Sequence, residues 1–323
     1  MALETVSVIG AGAWGTALAQ AAAMAGRTVR LHGRSGDLAS EVNQFHTNER
    51  HLPGQTLHPA ITGFADCERV AEADFIILAV PAQASREAII QAGPDAFAGR
   101  PVILSAKGLE HETLLRQSEV LGQLAPQAQP YVLSGPSFAA DVASGRPTAV
   151  TLAGRDAEPL AAALAGPSFR PYAADDIVGV ELAGSLKNVY ALGCGAVEGA
   201  DLGASARAAF LARAYAEMAR LVEALGGSPA TLTGLAGLGD LTLSCTSTQS
   251  RNYRTGLALG RGLPLEGIGL AEGVATAPVA RDLARRLHID APLIEAVNLL
   301  LTGTTSISSI VAGLMARPLK RET

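Results

Sequence analysis

Lys187 has the most unusual setting for its chemistry. In the stretch Glu181-Leu182-Ala183-Gly184-Ser185-Leu186-Lys187-Asn188-Val189-Tyr190-Ala191 it stands at helical spacing from Val180, Ala183, Gly184, Tyr190, Ala191 and Cys194. Its ammonium therefore emerges from a face of small and apolar side chains. A lysine there either carries its charge along its stem to water, or is desolvated in a cleft, where its pKa falls and it exchanges protons near neutral pH. Other charged groups occur at turn-like positions. Lys107, in Ser105-Ala106-Lys107-Gly108, follows the β-rich run Val102–Ser105 and is either an anion or carbonyl ligand or a solvated loop lysine. Asp240 closes the glycine-dense turn Gly234-Leu235-Ala236-Gly237-Leu238-Gly239. Ser250-Arg251-Asn252 opens a helical pattern that runs through Leu259, with Ser250 placed to cap it and Arg251 and Asn252 projecting from a first turn suited to phosphate. The plainer readings, Asp240 as a turn residue and Arg251 as a surface charge, stay open on spacing alone.

A second chemical signal lies at the start of the chain. The apolar run Val6-Ser7-Val8-Ile9 leads into Gly10-Ala11-Gly12-Ala13-Trp14-Gly15 and then into the alanine-rich segment Thr16–Ala25. Strand, glycine turn and helix start, in that order, are the context a dinucleotide fingerprint requires. Gly10 permits the tight turn, Gly12 lets the backbone approach a pyrophosphate, and Gly15 lets helix and strand pack closely. The helix N-terminus, with its unpaired N–H groups around Ala13 and Trp14, faces the phosphates. An NAD-specific site of this kind carries an acidic residue about 20 residues beyond the turn. Here His32-Gly33-Arg34-Ser35 follows the second strand-like run, and no carboxylate is there to repel a ribose 2′-phosphate. Arg34 is placed to stack on adenine or pair with that phosphate, so NADP(H) is expected to be accepted alongside NAD(H), unless Arg34 is simply a surface arginine.

The elements that must position these groups follow from pattern. Runs of β-forming residues at Val6–Ile9, Val29–His32, Phe75–Val80, Val102–Ser105, Tyr131–Ser134 and Thr148–Leu152 are separated mostly by helix-length segments, which predicts an α/β, doubly wound, mainly parallel sheet. Phe75–Val80 is apolar without alternation, as a strand covered on both faces should be, and belongs at the sheet centre. Ligands collect beyond the carboxyl ends of such strands, where Lys107 and the segment Gly135-Pro136-Ser137-Phe138-Ala139 fall. A last strand-like piece, Phe169–Ala173, precedes Asp175-Asp176, after which alanine- and leucine-rich helical patterns such as Ala206–Leu225 and Thr276–Leu287 run to the end. The expected division is 1–175 for the nucleotide-binding domain and 176–323 for an all-helical one, packed directly with a cleft between them.

Composition narrows the function classes. The chain has 323 residues, 48% of them hydrophobic and 17% charged, ample for two cores. A net charge of −5, with no basic block beyond the tail Arg317-Pro318-Leu319-Lys320-Arg321, argues against nucleic acid as a partner. No apolar run reaches the roughly 18 residues that span a bilayer, so no membrane role is expected. The three cysteines, Cys67, Cys194 and Cys245, show no metal or disulfide spacing, which points to a reducing, cytoplasmic setting and to small core residues.

Together these segments resemble the bacterial NAD(P)-dependent glycerol-3-phosphate dehydrogenases. The resemblance is carried by Gly10–Ala19, by Asn48 with Leu52-Pro53-Gly54, by Ser105–Gly108, Ser134–Ala139, Ala183–Val189, Gly234–Asp240, Ser250–Asn252 and Ala271-Glu272-Gly273, in the family's order over nearly the whole chain. It implies a Rossmann-like domain followed by a helical substrate domain, and interconversion of dihydroxyacetone phosphate and sn-glycerol 3-phosphate for phospholipid synthesis. It further implies Lys187 as the catalytic lysine; Lys107, Gly135, Ser137, Lys187, Asp240, Ser250, Arg251 and Asn252 as substrate ligands; and Gly10, Gly12, Ala13, Trp14, Gly15, Arg34, Lys107, Ala139, Arg251, Leu270 and Glu272 around the cofactor. A homodimer is in keeping with the same resemblance. Two rivals remain: another two-domain dehydrogenase with a catalytic lysine, of hydroxyacid or 6-phosphogluconate type, and a non-catalytic NADP(H) sensor. Members of the first class lack the Gly-Leu-Gly-Asp and Ser-Arg-Asn segments together, and a sensor needs no proton donor.

Overall fold

The computed structural model describes residues 3–265, 271–319 and 321. Its first half is one sheet of eight strands: β1 (Thr5–Ile9), β2 (Thr28–His32), β3 (Ile61–Phe64), β4 (Phe75–Leu78), β5 (Pro101–Leu104), β6 (Gln129–Ser134), β7 (Thr148–Gly154) and β8 (Phe169–Ala174). The strand order is β3-β2-β1-β4-β5-β6-β7-β8, parallel throughout except for the antiparallel β6–β7 pair. The helices of this half are α1 (Ala13–Met24), α2 (Gly36–Phe45), α3 (Ser85–Ala92), α4 (Gln117–Leu124), α5 (Ala139–Ala143) and α6 (Glu158–Leu164). Because side chains alternate along a strand, Phe75 and Ile77 of β4 join the apolar layer under α1, while Ile76 and Leu78 join the opposite layer with Ile89, Phe97 and Val120. That double coverage is why β4 reads as uninterruptedly apolar.

The expected strands appear within a few residues of their predicted ends, and β3 is an addition. Ile61-Thr62-Gly63-Phe64 is short and carries a glycine, so pattern alone passes over it. The glycine has a reason: a Cβ there would lie 2.8 Å from the Ala39 Cα of α2. The winding changes direction between β1 and β4, which are paired neighbours, and at such a point the loops beyond the strands part to leave a crevice. The strands from β1 to β6 are parallel, so Gly10, Arg34, Lys107 and Gly135 all follow strands on the same edge of the sheet.

After Ala174 every described element is helical: α7 (Ile177–Gly199), α8 (Ala204–Ala224), α9 (Asp240–Thr246), α10 (Arg251–Gly260), α11 (Glu272–Arg286), α12 (Pro292–Thr302) and α13 (Ile307–Met315). A second core forms around α7, where every residue from Gly179 to Ala196 is buried. Leu182, Leu186, Val189 and Tyr190 of α7 pack with Met218, Leu221, Ile294 and Val297. Glycines bring α10 unusually close to α7, since a Cβ on Gly256 would lie 1.9 Å from the Leu192 carbonyl oxygen and one on Gly195 2.1 Å from that of Tyr253. Among the described residues no helix is long and apolar enough to cross a membrane.

Candidate active site

The glycine turn is built as its spacing predicts. Gly10 has φ +108°, and a Cβ on it would meet the Ala79 carbonyl oxygen at 2.7 Å. A Cβ on Gly15 would overlap the Gly10 carbonyl oxygen at 1.8 Å, whereas one on Gly12 would meet nothing within 4 Å. So Gly10 and Gly15 are fixed by packing, and Gly12 borders open space that a ligand can approach. Among the described residues the N-terminus of α1 has no side-chain cap and no acidic residue in its first turn, which leaves its N–H groups and positive dipole end open to an anion. Trp14 Nε1 is buried with no hydrogen-bond partner among the described residues. A pyrophosphate-bearing dinucleotide fits this cradle. Ala139, which opens α5, packs with Ala13 and Trp14 against the same core.

Lys187 is buried, and its Nζ donates to Asp240 Oδ1 at 2.6 Å and to Ser244 Oγ at 2.7 Å. Burial is the largest influence on it and draws its pKa down from 10.5 to about 8, opposed by the Asp240 carboxylate and assisted by the Lys107 ammonium. The small-residue face around it is used for close approach: a Cβ on Gly184 would lie 2.6 Å from Ser134 Oγ, at the end of β6. Lys107 reaches the same carboxylate from the sheet side, with Nζ 2.7 Å from Asp240 Oδ2 and 3.2 Å from the Gly135 carbonyl oxygen. It also lies over the Trp14 ring, 5.9 Å from its centroid. Asp240 is fully buried, and burial would raise its pKa, but the two ammonium groups outweigh that and hold it below its ordinary value.

Asp240 opens α9 after a π-type turn, Leu235–Gly239, whose Gly237 presses on the backbone of Leu232: a Cβ there would lie 2.1 Å from that residue's carbonyl oxygen. Gly135 has φ +149° and packs against Val150, and its carbonyl oxygen also accepts from Ser137 Oγ at 3.0 Å. On the far side, Asn188 Nδ2 donates to the Lys107 carbonyl oxygen at 3.0 Å and reaches Glu272 Oε2 at 3.5 Å. Asn252 Nδ2 donates to Asn188 Oδ1 at 2.9 Å, and Asn252 Oδ1 accepts the Gly273 N–H at 2.8 Å. These bonds tie the starts of α10 and α11 to α7. Burial raises the pKa of Glu272, against the opposing charges of Lys107, Arg251 and Lys187.

The structure thus gathers Lys107, Gly135, Ser137, Lys187, Asp240, Asn252 and Glu272 into one network. Ser250 caps α10, its hydroxyl accepting the Tyr253 N–H at 3.3 Å. Arg251 projects exposed from the first turn of α10 and takes no ion pair among the described residues. Arg34 stands apart, exposed beyond β2. Leu270 lies outside the described residues. Two members of the network, Ser244 and Asn188, are not among the residues singled out for the site from sequence. Ser244 falls one helical turn after Asp240 and therefore on its face, and Asn188 adjoins Lys187, which are the signals that could have found them.

The pattern of the NAD-dependent glycerol-3-phosphate dehydrogenase N-terminus matches residues 5–160, and that of the same family's C-terminus matches residues 176–312. The chain belongs to this family. It is 48% identical over 330 residues to a glycerol-3-phosphate dehydrogenase, NAD(P)+, of Caulobacter vibrioides, covering 100% of both chains. An enzyme of the same name from Bradyrhizobium sp. (strain ORS 278) is 49% identical, covering 99% of this chain and 98% of its own. The crystal structure of glycerol-3-phosphate dehydrogenase from Coxiella burnetii superposes with a TM-score of 0.91 at 37% identity, covering 97% of this chain and 99% of that one. Within this family the Rossmann-like sheet and the helical half are the expected pair of units, and the Lys187–Asp240–Lys107 cluster joins them.

Proposed function

We propose that this protein catalyses the reversible NAD(P)H-dependent reduction of dihydroxyacetone phosphate to sn-glycerol 3-phosphate, supplying glycerophospholipid synthesis. The observation that carries the mechanism is the buried ammonium of Lys187, held by Asp240 and Ser244 beside Lys107. The bound nicotinamide supplies the hydride. Lys187 polarises the ketone oxygen and gives it a proton, and in the reverse direction neutral Lys187 takes the proton from the alcohol. Asp240 keeps the ammonium aimed and charged until the proton leaves. Lys107 adds a second positive charge toward the substrate oxygens, and the Gly135–Ser137 turn borders the same space. Arg251, exposed and without an ion pair at the start of α10, holds the substrate phosphate together with that helix start and Asn252.

The turn Gly10–Gly15 would hold the cofactor's pyrophosphate, with Ala139 and Glu272 as further contacts and Arg34 as the residue that would meet its adenosine part. Arg34 would let NADPH be accepted beside NADH, since its guanidinium can pair with a 2′-phosphate and no carboxylate stands at positions 32–35 to repel one. Residues 1–175 and 176–323 act as the nucleotide and substrate domains, a division supported by the cluster beneath α1, which lies wholly in the first half, and by the cluster around α7, which apart from Leu109 lies in the second; the third cluster, on the other face of the sheet, also takes in Val180 and Ala236 and packs the halves together. The setting is cytoplasmic, in keeping with three free thiols, and the assembly a homodimer. Identity near one half over the whole length of the relatives favours this reading over another lysine dehydrogenase or a sensor.

The test is oxidation of NADPH and of NADH by the purified protein with dihydroxyacetone phosphate, beside unphosphorylated dihydroxyacetone. Turnover that requires the phosphate supports the reading, and the ratio of the two cofactors reports on Arg34. No turnover with either cofactor, in a protein that binds NADPH, would overturn it.

A further inference from the structure

Asn48 lies in the connection between α2 and β3, far along the chain from the glycine turn, and is fully buried. Its Nδ2 donates to the Ala11 carbonyl oxygen at 3.0 Å and to Thr16 Oγ1 at 2.8 Å. An oxygen in the same place would face the lone pairs of the Ala11 carbonyl, so the chemistry of the partner fixes which way the amide points. The connection that carries it is itself anchored. The Leu52 N–H donates to the Asn48 carbonyl oxygen at 2.8 Å. Leu52 and Leu57 are buried in the core beneath α1, and the His58 N–H donates to Gln20 Oε1 of α1 at 2.8 Å.

Ala11 sits between Gly10 and Gly12. In a planar trans peptide the C=O and the following N–H point to opposite sides, and no described peptide is cis. A carbonyl of Ala11 held toward Asn48 therefore turns the Gly12 N–H away from Asn48. Gly12 is the residue of the turn that borders open space, and its N–H has no acceptor among the described residues.

We propose that Asn48 is a positioning residue for the cofactor pyrophosphate: by clamping the Ala11 carbonyl and Thr16 it sets the direction of the Gly12 N–H that the phosphate meets. Without the clamp, the Ala11 carbonyl keeps only the long contact from Thr16 Oγ1 at 3.5 Å, which holds the Ala11–Gly12 peptide less firmly, and a rotated peptide presents a carbonyl oxygen to an anion. The inference rests on the dinucleotide reading of this turn, but its test does not depend on turnover.

The experiment is calorimetric titration of the intact protein and of Asn48→Ala with NADPH and with 2′-phosphoadenosine, which lacks the pyrophosphate. NADPH should bind the variant about tenfold more weakly or worse, while the fragment and the KM for dihydroxyacetone phosphate at saturating NADPH stay within about twofold of the parent. A role in stability alone would weaken both nucleotides together, or neither, and either pattern overturns the proposal. Should Asn48→Ala not fold, Asn48→Ser carries the same prediction, and failure of both to fold would make Asn48 a residue of stability and overturn it as well. A parent that does not bind NADPH would instead sink the dehydrogenase reading, along with the clamp that depends on it.

Discussion

At the scale of single residues, the proposed role of Lys187 ties the rate of each direction to its charge state. Lys187 is drawn down to about 8 by burial, with Asp240 opposing the fall, so the ammonium that protonates a ketone oxygen predominates below pH about 8 and the neutral amine above it. Ketone reduction should therefore be level at lower pH and fall as pH rises through about 8, while alcohol oxidation rises over the same interval. Asp240→Asn removes the anion that favours the charged form and leaves two ammonium groups facing each other, so the falling limb of the reduction profile should move to lower pH. A limb that stays in place, measured as kcat/KM against pH, would contradict the pairing. Sequence could not choose between a solvated and a desolvated Lys187 because the deciding partner is 53 residues away, and Lys107 meets the same carboxylate across 133. Lys107, Lys187 and Asp240 could each be picked out by local setting. That they share one carboxylate could not, because helical spacing carries no information about contacts across the chain.

At the scale of elements, the site depends on how tightly α10 and α11 seat on α7. Gly256 permits the first contact, and Gly273 the second, since a Cβ on Gly273 would lie 2.4 Å from the Asn188 carbonyl oxygen. Gly256→Ala must push the two backbones apart, a cost of about 1–3 kcal/mol or more, and it shifts Arg251 and Asn252 along with the helix. By contrast Gly122, exposed on α4 with open space around its α-carbon, should gain about 0.5–1 kcal/mol as alanine. Urea unfolding of the two variants checks the pair: equal midpoints would show that the α7–α10 contact is looser than its glycines require. The strands were legible because β4 and its neighbours are apolar runs bounded by turns. The short β3 was not, because Gly63 is there for the approach of α2 and interrupts the β signal. The antiparallel turn of β7 was also beyond pattern, since alternation reads the same in either direction.

At the scale of the molecule, the two cores meet through buried polar ties as well as through the site. Glu181 of α7 accepts the Ser118 N–H at 2.8 Å and Ser118 Oγ at 2.6 Å, and pairs with Arg116 at 3.4 Å, which fixes the helix bearing Lys187 against the start of α4. The glycine turn and Lys107 come from the sheet half, and Lys187, Asp240 and Arg251 from the helical half, so on the proposed reading neither half holds the chemistry alone. The order of elements and the shift from strands to helices were visible in composition. The geometry that joins the halves was not, because it is written in long-range hydrogen bonds. Lys187 is the proposed proton donor, and the direct test is Lys187→Met, which keeps an apolar stem in its helix and removes the ammonium. NADPH oxidation with dihydroxyacetone phosphate should fall by about 10²–10⁴-fold while NADPH binding stays within about twofold. Turnover near the parent rate in a variant that binds NADPH normally would contradict the mechanism.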